Sequence, residues 1–170
     1  MIKVNKNRVK ALTTAAIIAA LYSALTYLAA GFGVAYGPIQ FRFSEALTVL
    51  PVFTPAAIPG LTIGCLISNI ASFNPVDMAF GTVATLIAAW LTRAFRKVTL
   101  FKAPILSLLP PVLVNALMVG LEISIFYLDG FTVGGFLISA LEVGLGQLVI
   151  CYGLGLPLYF ALNKHRNIFE

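Results

Sequence analysis

Apolar and polar positions alternate along this chain in blocks of about twenty residues rather than in turns of three or four. The block Ala11 to Ala30 contains no charged residue. Its length, about 20 residues, is what an α-helix needs to cross a hydrocarbon core of ~30 Å. Lys3, Lys6, Arg8 and Lys10 precede it, as in a signal peptide, but the apolar run exceeds the roughly 7–15 residues of such a segment. It is therefore read as a retained first helix, about 10–30. Later blocks predict helices at 43–57, 60–73, 78–95, 104–128 and 134–162. The second and third are short, about 21–23 Å at ~1.5 Å per residue, and are expected to tilt into the bundle or end below the membrane surface.

Local punctuation refines this outline. Gly31–Pro38 reads as an aromatic, glycine-rich outer loop, and Phe73–Asp77 and Tyr127–Gly130 as further outer connections. Pro51 and Pro55 mark the second helix, Pro59-Gly60 the next turn, and Gly60-Leu-Thr-Ile-Gly64 is a GxxxG opening the third. Pro110-Pro111 predicts a kink in the fifth helix. Gly144, Gly146, Gly153, Gly155 and Pro157 are expected to break up the sixth. In the first helix, Ala11, Ala15 and Ala19 form one row of small residues and Ala16, Ala20 and Ala24 the next. Such rows admit a close helix neighbour, either within the chain or from a separate subunit.

Composition turns this pattern into a class. The chain is 60% hydrophobic and 10% charged over 170 residues, where soluble domains carry about a quarter charged residues. The reading is an all-α integral membrane protein: one six-helix membrane domain spanning residues 1–170. The net charge of +5 does not point to nucleic acid, because the basic residues fall between apolar runs: Lys3 to Lys10, Arg93/Arg96/Lys97/Lys102, and Lys164/Arg166. Six crossings put all three clusters on one side, so the positive-inside rule predicts N-in, C-in. Five or seven would not. Cys65 and Cys151, each inside an apolar run, are expected to be reduced core thiols, and His165 belongs to the basic tail.

Arg42 alone lies outside the basic clusters. It stands three residues before Glu45, a spacing that places both on one helix face. The pair is read either as an ion pair pinning a helix start, with Ser44 as a possible N-cap, or as part of a ligand site. Counting along the helices puts Glu122 and Glu142 in the outer half of the membrane, with Asn115 and Gln147 near mid-depth. Asn69 falls in the outer part of its helix and Asp77 near the surface. Glu122 and Asn115 are two turns apart and share a face. An intramembrane carboxylate costs about 2.5–3.5 kcal/mol on insertion scales, so each is expected to have a partner or a task. Polar groups that stop midway describe a cup open to the outside; a pore or proton relay would need them all the way across. No HExxH, GxSxG or GxxxxGK[ST] pattern occurs, so neither catalysis, a metal nor a cofactor is expected.

The stretch Gly37-Pro-Ile-Gln-Phe-Arg-Phe-Ser-Glu-Ala-Leu-Thr-Val-Leu-Pro51, with Pro59-Gly60 and Gly64 to Asn69, resembles the queuosine-precursor transporter family. Those proteins are substrate-binding S-components of energy-coupling factor (ECF) transporters. The resemblance extends over essentially the whole chain and implies a 7-deazaguanine ligand such as preQ1, preQ0 or queuine. It also implies docking on a membrane coupling (T) subunit with two cytoplasmic ATPases, in a prokaryotic plasma membrane. Ala11, Ala15, Ala19, Ala16 and Ala20 would correspond to the alanine motif used for docking. Such a ligand suits carboxylates that accept the adjacent N–H groups of a guanine edge, and an amide that donates to its carbonyl. Candidate ligand residues are Glu142, Gln147, Asn115, Glu122, Asn69, Arg42, Glu45 and Asp77. Tyr27, Phe32, Tyr36, Phe41 and Phe43 are candidates for stacking, for a lid, or for lipid anchoring. A thiamine- or biotin-like vitamin, or an autonomous secondary transporter, are the alternatives.

Overall fold

The computed structural model describes residues 6–35, 40–70, 74–99, 103–128 and 130–166; Lys3, Tyr36, Gly37 and Lys102 lie outside them. Among the described residues the chain is helical throughout. Helix α1 (Lys6–Gly31) is followed by a 3-10 helix, Phe43–Val52, and α2 (Ala57–Ile70). Then come α3 (Pro75–Ala94), α4 (Leu109–Phe126) and α5 (Val133–Ile150), the last running through a π-helical turn, Cys151–Gly155, into α6 (Leu156–Asn163). Four stretches, Lys6–Gly31, Pro75–Lys97, Ile105–Phe126 and Val133–Asn163, are long and apolar enough to cross a membrane. The surface agrees: Leu12, Trp90, Leu137 and Leu141 are all more than half exposed, which suits lipid and not water.

The outline differs from expectation in four places. The second segment is a 3-10 helix, not an α-helix, with every residue from Ser44 to Val52 buried. Pro51 and Pro55 remove two backbone donors, and Thr48 Oγ1 donates to the Glu45 carbonyl at 2.6 Å, favouring the tighter winding. Ser44 does not cap this helix: the N-cap position is Arg42, and the Ser44 hydroxyl instead accepts from Thr26 at 2.7 Å. Helix α2 starts at Ala57, earlier than expected, because Pro59 fits within a first turn where its missing N–H has no helical partner anyway. Pro110 and Pro111 likewise sit in the first turn of α4, after a 3-10 turn at Ile105–Leu108, and so start the helix instead of kinking it. The interruption of the last segment is confined to the π-turn preceding Pro157.

Ends and crossings follow from local chemistry. The chain leaves α1 through Gly33, whose φ of 73° only glycine adopts without strain. Asn74 caps α3 by accepting from the Val76 amide at 2.9 Å, and Thr132 caps α5 by accepting from the Gly135 amide at 3.0 Å. The GxxxG brings α2 against α1: a Cβ at Gly60 would lie 2.8 Å from the Ala15 carbonyl, and one at Gly64 2.7 Å from Tyr22 Cβ. Gly120 packs in the same way on Ala140, joining α4 to α5. These approaches supply the dispersion contacts that hold apolar helices together where no hydrophobic effect does.

The start of α3, the end of α4 and the start of α5 meet around one cavity, so two chemically distinct ends can be described. One carries Lys6, Arg8, Lys10, Arg93, Arg96, Lys97, Lys164 and Arg166. There Arg93 Nη1 donates to the carbonyls of Pro51 (3.0 Å) and Val52 (3.2 Å), fastening the end of the 3-10 helix. The other end gathers the start of α3, the end of α4 and the start of α5, and with them Arg42. Cys65 and Cys151 are free and buried.

Candidate functional site: a carboxylate-lined cavity at the non-basic end

A cavity of about 520 Å³ opens at the non-basic end of the bundle, lined by α3, α4, α5 and residues 40–42. Helical spacing explains its walls. Asp77 and Gly81 are one turn apart on α3, and Val119, Glu122 and Ile123 share a face of α4. Gly135, Ile138, Ser139 and Glu142 follow the i, i+3, i+4, i+7 stripe of α5. Gln40 and Arg42 reach it from the extended backbone before the 3-10 helix, where Arg42 has φ −83° and ψ 105°. The backbone of Gln40 can lie there because Gly146 has no side chain: a Cβ at 146 would fall 2.3 Å from the Gln40 carbonyl.

Three carboxylates and one guanidinium set the electrostatics. Glu122 is 2% exposed, and its Oε1 has no hydrogen-bond partner. The Asp77 carboxyl lies against that of Glu122, so the two acids together favour a cationic or N–H-rich group between them. Asp77 is oriented by Tyr127, whose hydroxyl donates to Oδ1 and accepts from Asn74 Nδ2. Burial, with the Asp77 carboxylate beside it, holds the Tyr127 phenol well above its ordinary value, so it remains a donor. Glu142 faces the cavity from α5, half-buried. Arg42 is 7% exposed; its Nε donates to the Ala35 carbonyl at 3.3 Å and its Nη1 to Asn69 Oδ1 at 3.4 Å.

Of the eight residues singled out from sequence, Arg42, Asp77, Glu122 and Glu142 line the cavity. The other four are buried around and beneath it. Glu45 accepts a hydrogen bond from Tyr22 of α1, lies beside Gln147, and leaves Oε2 without a partner. Asn69 is packed behind Gly81. Asn115, one turn below Val119, has an unpartnered Nδ2. Gln147 Oε1 lies 3.6 Å from Cys151 Sγ.

Sequence reasoning missed Gln40, Gly81, Ser139, Tyr127 and the buried partner Tyr22. Ser139 was within reach, being three residues before Glu142; Tyr127 and Gln40 lie off any helical period. None of the aromatic candidates among the described residues lines the cavity. Tyr27 donates to the Ile67 carbonyl at 3.0 Å, and Phe32 packs 6.5 Å from Phe43 between ring centroids.

Below these residues the interior is largely apolar, built from Ile18, Leu47, Leu50 and Leu61 in one cluster and Val49, Val52, Leu108 and Tyr159 in another, with the uncharged hydroxyls of Thr48, Thr92 and Ser107 buried among them. Among the described residues, the buried charged side chains are Arg42, Glu45 and Glu122, and no group of three metal-binding side chains occurs. A second concavity, about 730 Å³, runs along α1 and α2 and is lined by Arg8, Ala11, Leu12, Ala15, Ala16, Ala19 and Ala20 with Ala56, Pro59, Ile63 and Ile67.

The family profile described as QueT transporter matches residues 12–164. Over 82 residues the chain is 44% identical to a protein of Lactococcus lactis subsp. cremoris (strain MG1363) named "Queuosine precursor transporter QueT". That stretch is 48% of this chain and 48% of the relative, so the chain spans about half the length of the curated relative it matches. No solved structure matches the chain. The profile describes transporters, in keeping with the expectation that the chain is not an enzyme. Because the match runs from the first turns of α1 to beyond the end of α6, the chain belongs to the QueT transporter family.

Proposed function

We propose that this chain is the substrate-binding S-component of an ECF importer. It captures a queuosine precursor, a 7-deazaguanine such as preQ1, preQ0 or queuine, from outside the cell. The observation that carries this reading is the buried carboxylate of Glu122, with an unpartnered oxygen, in the wall of a cavity also lined by Arg42. A guanine edge presents adjacent N–H donors that one carboxylate accepts together, and a carbonyl that a guanidinium can serve. Asp77 and Glu142 suit the amine substituent of preQ1 or queuine, and three carboxylates against one arginine favour these cations over neutral preQ0. The cavity falls within the ~300–1,000 Å³ of small-molecule sites. Glu45, Asn69, Asn115 and Gln147 form the polar layer supporting the lining residues.

The largely apolar interior below the site, with no buried charge there among the described residues, supports a body that holds its ligand without conducting it. Uptake then requires a membrane coupling subunit with two cytoplasmic ATPases. The groove lined by Ala11, Ala15, Ala16, Ala19 and Ala20 is the docking face, and the chain itself needs no cofactor. Six crossings of the prokaryotic plasma membrane, N-in and C-in, put the basic end in the cytoplasm and the cavity outside. Isothermal titration of the purified chain with preQ1, preQ0, queuine, thiamine and biotin tests the ligand. Tight binding of a vitamin with none of the deazapurines refutes it. Uptake by proteoliposomes holding this chain alone refutes the need for a coupling subunit.

A further inference from the structure

Asn69 lies outside the cavity, yet it joins two of the elements that build it. Its side chain is fully buried near the end of α2. Oδ1 accepts from Arg42 Nη1 at 3.4 Å, and Nδ2 donates to the Asp77 carbonyl at 3.1 Å and to Cys65 Sγ at 3.5 Å. One amide therefore ties the arginine before the 3-10 helix to the first turn of α3. The fit is close: Gly81, itself part of the cavity wall, leaves space for nothing more, since a Cβ there would fall 2.6 Å from Nδ2. The amide also has a required sense, because its donor end cannot face a guanidinium and its acceptor end cannot face a carbonyl. With the Ala35 carbonyl holding Nε, the guanidinium is held at both Nε and Nη1 by described residues, which fixes its plane.

We propose that Asn69 is a positioning residue for specificity: it aims the Arg42 guanidinium at a ligand carbonyl, so that the site selects a ring oxygen it never touches through Asn69 itself. This rests on the reading of the cavity as a deazaguanine site. Neither neighbouring amide takes the role, since Asn115 and Gln147 stand below the cavity while Arg42 lines it. The guanidinium is a donor at every physiological pH, so recognition depends on its direction and not on its protonation.

The test is titration of the full chain in nanodiscs with 7-aminomethyl-7-deazaguanine and with the same base lacking its ring carbonyl. The wild type prefers the carbonyl-bearing ligand. Asn69→Ala weakens that ligand about tenfold, as expected for one misdirected charged hydrogen bond, and leaves the analogue within about twofold, so the preference collapses. Equal weakening of both ligands, or no change, overturns the proposal. If Asn69→Ala does not fold, Asn69→Ser, too short to span both partners, is read in its place.

A ligand-free measurement separates this claim from the ligand assignment. In arginine-labelled protein the Arg42 Nη1–H resonance, assigned by its loss in Arg42→Lys, exchanges slowly with water in the wild type and fast in the Asn69 variant, which lacks its acceptor. Failure of the wild type to bind either base overturns the deazaguanine reading alone. Unchanged exchange in the variant overturns the positioning role.

Discussion

Replacing Glu122 by glutamine changes one atom in the carboxyl group and almost nothing in its volume. In the wild type the group is 2% exposed and Oε1 has no protein partner. Solvent screening therefore takes little from its interaction with a ligand. A carboxylate that accepts two N–H groups from a guanine edge loses one of them in the glutamine variant, where an NH₂ now faces a donor. A hydrogen bond to a charged group contributes about 1.5–3 kcal/mol, which converts to roughly 10- to 150-fold in Kd.

The free protein moves the other way. Asp77 lies against Glu122, and removing one of two adjacent carboxylates relieves repulsion, so the melting temperature of Glu122→Gln without ligand holds or rises. Calorimetric titration paired with thermal unfolding of the same sample reads both. Wild-type affinity for the deazaguanine in Glu122→Gln would sink the reasoning. A loss of affinity matched by a lower melting temperature would also sink it, since that combination describes a carboxylate that holds the bundle together.

Glu142→Gln should weaken an aminated base such as preQ1 more than neutral preQ0, by about three- to tenfold because the residue is only half-buried; comparative titration of the two bases measures the difference. Tyr127→Phe removes the hydroxyl that orients Asp77 and should cost about 1 kcal/mol of binding, near fivefold in Kd, with the fold intact by circular dichroism. Gly64→Val puts branched atoms where even a Cβ would lie 2.7 Å from Tyr22 and 2.8 Å from the Ala19 carbonyl. It should destabilise the α1–α2 pair by about 1–3 kcal/mol, seen as a melting temperature lower by several degrees. Ala16→Trp and Ala20→Trp fill the groove on α1 from exposed positions. They should abolish ATP-driven uptake in cells while ligand binding to the purified chain stays within twofold.

What could be read from the residues, and what could not, divides along a physical line. Arg42 stood out because no other basic residue sits away from the three clusters, and it does line the cavity. Glu122 and Glu142 stood out because carboxylates are expensive in an apolar span. Counting residues along a helix gives depth at about 1.5 Å per step, but not which neighbour a side chain meets across the bundle. Asn69 has the depth of a ligand residue, yet it faces Arg42 and α3. Asn115 shares the face of Glu122 but ends a turn too deep. The three-residue spacing links Glu45 to Arg42, a link that a 3-10 turn preserves and that their electrostatic contact bears out, but Glu45 turns to Tyr22 and does not line the cavity.

Tyr22 shows the opposite failure. A tyrosine in an alanine-rich span reads as packing, and its hydroxyl gains meaning only when another segment delivers Glu45 to it. Hydropathy sums over a helix, whereas a binding site depends on pairs between helices. Charge scarcity exposed Arg42, Glu122 and Glu142 because an ion in an apolar span needs an explanation whatever its neighbours are. A buried amide or phenol does not, so its role is decided by tertiary contacts alone.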